Sequence, residues 1–375
     1  MEKEIIDVDG SNGGGQIVRN AIAYASFGAG MSVRVKNIRV TRSPSGLRAQ
    51  HLTGVRFVAS LVGASVDSQI GDVELVFSAN SRLKANSVEG NSSTRSVSGG
   101  GGDSGYCPTA DTGTAGSITL LVQAILPVLL FADSPVASRV LLIGGTNATL
   151  APQFDYLQLI FRPFLARHFA IQFSLKLLRR GFYPRGGGRV ELEALPQRNP
   201  IPGITLLDRG TVVRFDGVVI VGGNIPNMQK LQKTALALLK ATFPHIPIEF
   251  TVSNGSADPE GKAFGSGSGI LVYATTDTNC VLAGSCVGSP KEAPEKTAEK
   301  AVNELIKNLQ ENGCVDEYLQ DQIILFLALA NGVSRVRVGG ITEHTYSAIS
   351  LAEHLTSAKF SIEKDGVTNI ISCVA

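Results

Sequence analysis

The sequence has no tryptophan, three methionines and an aromatic content of 6%. A platform of stacked aromatic rings, a common device for gripping single strands of nucleic acid, therefore has little material to be built from. The sequence also has no marked charge of one sign: 34 Lys and Arg against 32 Asp and Glu leave a formal net charge of +2. Any attraction for a polyanion must come from a local cluster. The five cysteines, Cys107, Cys280, Cys286, Cys314 and Cys373, form no CxxC pair and no even framework. That argues against a structural zinc or a disulfide scaffold and predicts a reducing, intracellular setting. The opening "MEKEIIDVDG" is charged where a secretory signal would be apolar. The longest apolar run, "SITLLVQAILPVLLFA" at 117–132, is short for a membrane span and carries Gln123 and Pro127, so it reads as a buried helix.

What is present is a long chain of 375 residues, 43% hydrophobic, enough for a large core and for two domains. Three stretches share one rhythm of helix, short strand, loop, second helix and two closing strands. "SRVLLIGGT" (138–146) and "SRVRVGGIT" (334–342) open matching parts of two of them, and "MSVRVKNIRVTRSPSGLRAQHL" begins a more diverged third. Apolar spacing such as Leu157, Ile160, Phe161 and Phe164 predicts helix, and alternation such as Val33 and Val35 predicts strand. The expected fold class is α/β (α+β), with three βαβαββ-type sheet-plus-helix units in a pseudo-threefold large domain. Residues 1–197 would hold units one and two, and 311–375 unit three. Residues 198–310 contain strands and helices of their own and read as a small inserted α/β domain. Residues 86–106 are nearly all Gly, Ser and small polar types and read as a flexible surface loop.

Several motifs carry chemistry, each with a plainer alternative. "VDGSNGGGQIVRNAIAYA" (8–25) is strand, glycine turn and helix, either a phosphate-binding turn or an ordinary tight one. It matches neither GxxxxGKS nor GxGxxG. "RVTRSPSGLRAQHL" (39–52) sets Arg39, Arg42 and Arg48 near Gln50 and His51, either as guanidinium forks for phosphate or as a solvated basic surface. "RGFYPRGGGRV" (180–190) is a second triple glycine, an unusual way to build a bulged hairpin. In "DEYLQDQIILFLALANG" (316–332), Asp316 or Asp321 can cap the helix, or Tyr318 and Asp321 can face a ligand at its N-terminus. His344, in "GGITEHTYSAIS", falls in a loop mouth between strand and helix. It has no partners at metal-binding spacing, which leaves a satisfied polar residue or a nucleophile as its readings.

Together these motifs resemble the RNA 3′-terminal phosphate cyclases. "RGFYPRGGGRV" is similar to that family's signature, and "DGSNGGGQIVR", "GLRAQHLTG", "TAGSITLLVQAILP", "GGTNATLAP", "EYLQDQIILFLALANG" and the histidine of "TEHTYSAI" follow in the family's order over nearly the whole chain. The resemblance implies a three-step reaction. His344 attacks the α-phosphorus of ATP, AMP passes to an RNA 3′-phosphate, and the vicinal 2′-OH closes a 2′,3′-cyclic phosphate. It implies ATP and a divalent metal (Mg or Mn) as cofactors and RNA 3′-phosphate ends as partner, with no membrane, in the nucleus (nucleoplasm) or cytoplasm. Gln123, Pro152, Tyr318, Asp321 and Gln322 are implied for the adenosine, and Gln16, Arg19, Arg39, Arg42 and Gln50 for phosphates. The family usually carries Glu just before the first triple glycine. Here Asn12 stands there, and the metal-binding residue is left unassigned. Two other classes share parts of the pattern: non-catalytic cyclase-like ribosome-biogenesis proteins, which lack the nucleophile, and enolpyruvyl transferases. His344 disfavours both, and the arginine loop and the Pro-triple-glycine motif further disfavour the second.

Overall fold

The computed structural model describes residues 5–27, 31–79, 107–222, 228–253 and 263–375. The expected flexible loop at 86–106 lies outside the described residues. The architecture is mixed α/β, with several mixed sheets and helices packed against them. No helix among the described residues is long and apolar enough to cross a membrane.

In the first sheet Ile5–Asp9 pairs in parallel with Ser32–Lys36, which pairs antiparallel with Leu75–Ser78. A parallel pair needs a crossover, and helix Gly15–Phe27 supplies it. The second sheet repeats this step: Thr109–Asp111 runs parallel to Ser138–Gly144, followed by antiparallel Gly188–Ala194 and Phe173–Arg179. The third does so again with Thr205–Leu206 parallel to Val333–Val338, then Thr368–Val374 and Lys359–Asp365. The expected pair of closing strands in the first stretch is only half present. Residues 64–69 touch the sheet through one bridge, Ser65 to Ser78. Their backbone is otherwise engaged: Arg56 donates to the Ser68 carbonyl at 2.9 Å, and the Gln69 N–H donates to Asp72 at 2.7 Å.

The apolar run at 117–132 is indeed a buried helix, Ile118–Leu130, whose Ser117 cap accepts from the Leu120 N–H at 3.4 Å. Asp316 rather than Asp321 caps helix Glu317–Ala328, accepting from Leu319 N–H at 2.9 Å. Its other oxygen accepts from the Ala283 N–H at 3.0 Å.

A separate four-stranded sheet, ordered Ile248–Ser253, Val212–Gly222, Gly267–Thr276 and Val281–Val287, has its own core. Helices Met228–Thr242 and Pro294–Gln310 bury Leu231, Leu239, Val302 and Leu305 against it. Residues 201–206, which the sequence reading assigned to the insertion, pair instead with 330–331 and 335–336. Phe182 holds this sheet to the rest: a Cβ on Gly222 or Gly267 would lie 2.1 or 2.2 Å from its ring. Beside it, fully buried Arg180 makes a fork with Asp155 at 2.9 and 2.7 Å and reaches Ser253 at 2.7 Å.

Candidate active site

Helix Glu343–Leu355 begins at Thr342, whose hydroxyl accepts from the Thr345 N–H at 3.1 Å. His344 is therefore in the first helical turn and not in the loop that the sequence suggested. Its half-buried ring projects from an end where unpaired backbone N–H groups favour an anion. Its Nδ1 lies 3.1 Å from Oε1 of Gln16, in the first turn of helix Gly15–Phe27. The amide's other end, Nε2, donates to the carbonyl of Asp321 at 3.5 Å. With the NH2 end turned to a carbonyl, the oxygen faces the imidazole. A neutral His344 then carries its proton on Nδ1 and keeps a lone pair on Nε2.

The glycine turn makes this approach possible. Gly13 and Gly14 have φ of +72° and +58°, the left-handed region that glycine enters without strain. A Cβ on Gly13 would sit 2.7 Å from the Ser347 Cβ, one helical turn beyond His344. The Cβ position of Gly14 is 3.9 Å from His344 Cε1, and that of Gly15 would collide with the His51 ring at 2.2 Å. The first triple glycine is thus more than a tight turn, because it adjoins His344.

Burial, then the cations of Arg19 and Arg42, hold the His344 pKa below its ordinary value, while a Gly13 backbone hydrogen bond and Glu343 pull the other way. Arg19 is half-buried, and its Nε has no partner among the described residues. Burial lowers its pKa to about 10 against the opposing pull of Asp321. Asp321 is raised to about 7, chiefly by burial, despite Arg19. Desolvation outweighs attraction in both, leaving Arg19 as a cation short of partners.

The remaining expected residues divide. Arg42 is exposed beside His344 and Arg39. Arg39, at φ +53°, spends donors on its own loop, at the carbonyls of Pro44 (3.2 Å) and Gly46 (3.0 Å). Gln50 uses its amide oxygen to accept the Ser117 N–H at 2.8 Å. Gln123 and Gln322 meet Gln16 and Asn20 in one narrow cleft, walled by Leu126, Pro127, Phe161, Leu325 and Phe326. Gln322 donates to the Tyr318 carbonyl at 2.7 Å and leaves a buried Oε1 without a partner among the described residues. Pro152 accepts from Thr119 at 2.7 Å, over the first turn of the Gln123 helix. Tyr318 packs edge-on to Tyr156 at 5.8 Å, with its hydroxyl on Glu304, and is not part of the lining of that cleft.

Sequence reasoning missed His51 as part of this site. It is 6% exposed, and its Nδ1 accepts from the Arg48 N–H at 3.1 Å. Burial and the cations of Arg19, Arg39 and Arg48 push its pKa down to about 3, so it is neutral. Its place beside Gln50 in "GLRAQHL" was the available signal.

Asn12 is exposed on a second, open cleft, together with Asp7, Asp9 and Ser347. Asp7 is taken by Lys36 at 2.7 Å, and Asp9 by Ser11 at 2.8 Å and Asn37 at 3.1 Å. Among the described residues no three His, Cys, Asp or Glu stand together as a metal cage.

Residues 11–362 match the family described as RNA 3′-terminal phosphate cyclase. The chain belongs to that family. A Drosophila melanogaster protein named RNA 3′-terminal phosphate cyclase is 35% identical, over 99% of this chain and 96% of its own length. The Pyrobaculum aerophilum protein of that name is 33% identical over 96% of each chain. A "Probable RNA 3′-terminal phosphate cyclase" from Dictyostelium discoideum is 34% identical, over 99% of this chain and 83% of its own. This cyclase thus shares its family's sequence from the first glycine turn to the last sheet.

Proposed function

We propose that this cyclase converts an RNA 3′-phosphate to a 2′,3′-cyclic phosphate at the expense of ATP, through AMP carried on His344. The observation that supports this best is the Gln16–His344 contact, which engages Nδ1 and makes Nε2 the attacking atom. Nε2 attacks the α-phosphorus of ATP, forming a P–N bond as the bond to diphosphate breaks. An oxygen of the RNA 3′-phosphate then attacks the same phosphorus, forming a phosphoanhydride and releasing the histidine. Last, the vicinal 2′-oxygen attacks the RNA phosphorus, losing its proton, and AMP leaves. Little covalent chemistry is asked of the protein beyond the histidine; positioning and charge neutralisation do the rest. Arg19 and Arg42 stand where phosphate charge would develop, and the Gln123–Gln322 cleft, with its unpartnered amide oxygen, offers polar contacts for a nucleoside. A divalent ion bound with ATP would supply further neutralisation at the phosphates. Incubation with α-labelled ATP, followed by a search for protein-bound label, tests this reading.

Gln16, which the resemblance implied for phosphate, acts here on the imidazole. Gln16→Ala should slow adenylylation by roughly 10–100-fold, the usual cost of losing a group that orients an active imidazole. Single-turnover labelling checks this, and an unchanged rate would return Gln16 to the phosphates.

A second reading, a weakly active cyclase-like protein of ribosome biogenesis, is favoured only by Asn12. A neutral amide is a poorer partner for a hard cation than a carboxylate. Asn12→Glu should lower the metal concentration that half-saturates labelling. A metal titration unchanged by the substitution would show that this position no longer meets the ion.

We further read the three parallel-first sheets as three repeats, with a small domain inserted within 198–310 and the protein working in the nucleus or cytoplasm. Three hydrogen bonds support the repeat. Each joins the second helix of one unit to the start of the first helix of the next: Gln50 to Ser117 (2.8 Å), Tyr156 to Asp316 (2.6 Å), and His344 to Gln16 (3.1 Å). The nucleophile then occupies one of three equivalent junctions, the other two being structural.

A further inference from the structure

The signature hairpin is not used by the chemistry above, and its exposed side chains have no structural task that explains them. We propose that the hairpin 179–189, with Phe264, is a landing for the single-stranded RNA that leads up to the 3′-phosphate. This rests on the reading of the site as an RNA-end cyclase and adds where the strand lies.

The first observation is charge. "RRGFYPRGGGR" holds four arginines and no carboxylate. Asp155 neutralises Arg180. Arg179, Arg185 and Arg189 have no carboxylate within ion-pair distance among the described residues. Arg179 is fixed by the Gly187 carbonyl at 3.1 and 2.8 Å and lies 4.9 Å over the Phe264 ring. In a chain with a net charge of only +2, this is a local surplus of the kind that holds phosphates.

The second observation is an exposed ring on a rigid base. Tyr183 is 80% exposed, while its neighbour Phe182 is 2% exposed and clamped against Gly222 and Gly267. Phe264, 43% exposed, is held by its N–H to the Arg180 carbonyl at 2.8 Å. A flat ring presented this way, with arginines beside it, suits stacking of a base together with contact to the backbone, without regard to sequence.

The third observation is continuity with the site. A Cβ on Gly186 would lie 2.1 Å from the Thr114 carbonyl oxygen. Two residues on, Gly116 closes on the Gln50 Cβ at 3.0 Å, and neighbouring His51 abuts Gly15, next to the glycine that faces His344. The hairpin therefore extends the same run of glycine turns that ends at the nucleophile.

The test compares binding, without ATP, of a 3′-phosphorylated RNA of about twelve nucleotides, within the range of single-strand sites, and of a 3′-phosphorylated dinucleotide. Fluorescence anisotropy reads the longer RNA directly and the dinucleotide by competition. Tyr183→Ala should weaken the longer RNA about tenfold or more and leave the dinucleotide unchanged, while Tyr183→Phe keeps parental binding. Arg185→Ala should flatten the salt dependence of the longer RNA by about 0.7 in slope, one phosphate's worth. Labelling by α-labelled ATP should be the same in all three variants. The proposal is overturned if the parent binds the longer RNA no better than the dinucleotide. Equal weakening of both by Tyr183→Ala, or no weakening of either, also overturns it. Because binding is read without ATP, the result stands apart from whether His344 accepts AMP.

Discussion

His344→Ala should abolish the transfer of label from α-labelled ATP to the protein and leave the fold intact. The helix keeps its start, because Thr342 caps through Thr345, and alanine is favourable in a first turn. What is lost is the imidazole whose Nδ1 is held by Gln16. A P–N bond is acid-labile, so in the parent the label should survive mild alkali and fall off in acid. His354→Ala is the control: that ring binds the Asp7 carbonyl at 3.0 Å, ten residues further along the helix, and labelling should persist. The pH profile gives an independent reading. Attack needs the neutral ring, and the His344 pKa lies below the ordinary 6.5, so labelling should lose its acid limb only below that value. Arg42 is one of the cations that lower it. Arg42→Ala removes a charge that disfavours imidazolium, so the limb should move to higher pH. Acid-stable label, or undiminished labelling of His344→Ala, would remove this histidine from the mechanism.

Much of this was legible in the sequence for identifiable reasons. The helices at 118–130, 317–328 and 343–355 carry strong apolar patterning and good capping residues, Ser117, Asp316 and Thr342. Parallel strands such as Ser138–Gly144 alternate cleanly between buried and less buried positions. The failures are of another kind. Residues 64–69 alternate like a strand, but Arg56 of the preceding helix and Asp72 of the following turn take the backbone of Ser68 and Gln69. Residues 201–206 are too short for a pattern, and only pairing across the fold, with residues of the 330s, assigns them. The same holds in the site. His344 and Arg19 stand out as residue types in motifs, whereas the task of Gln16 depends on which way an amide turns. Only the Asp321 carbonyl, 305 residues away, decides that. His51 stood beside Gln50 in the motif, but its burial against Gly15, which keeps it neutral, shows only in the fold.

Breaking the Arg180–Asp155 fork should give the largest loss of stability available from one substitution outside the apolar core. Arg180 is 0% and Asp155 6% exposed, so neither charge has water to fall back on. The guanidinium also reaches Asn147 at 3.1 Å, while its Nε is already unpaired among the described residues. Asp155→Ala leaves a buried cation with only neutral partners, a change that costs about 3–5 kcal/mol. In a chain of this length that corresponds to a thermal midpoint lower by roughly 5 °C. The loss should centre on the contact between the hairpin and the four-stranded sheet that carries Ser253, because Arg180 also bonds Ser253 there. The pair need not stabilise the fold in absolute terms, since taking both charges from water costs about as much as their attraction returns. The double substitution Asp155→Leu with Arg180→Met should therefore regain most of the lost midpoint, although either change alone does not. Calorimetry on the parent, the three single variants and the double variant checks this. A single Asp155→Ala as stable as the parent would mean that Arg180 finds another partner or lets water in. In that case the fork is not what fastens the hairpin to the sheet.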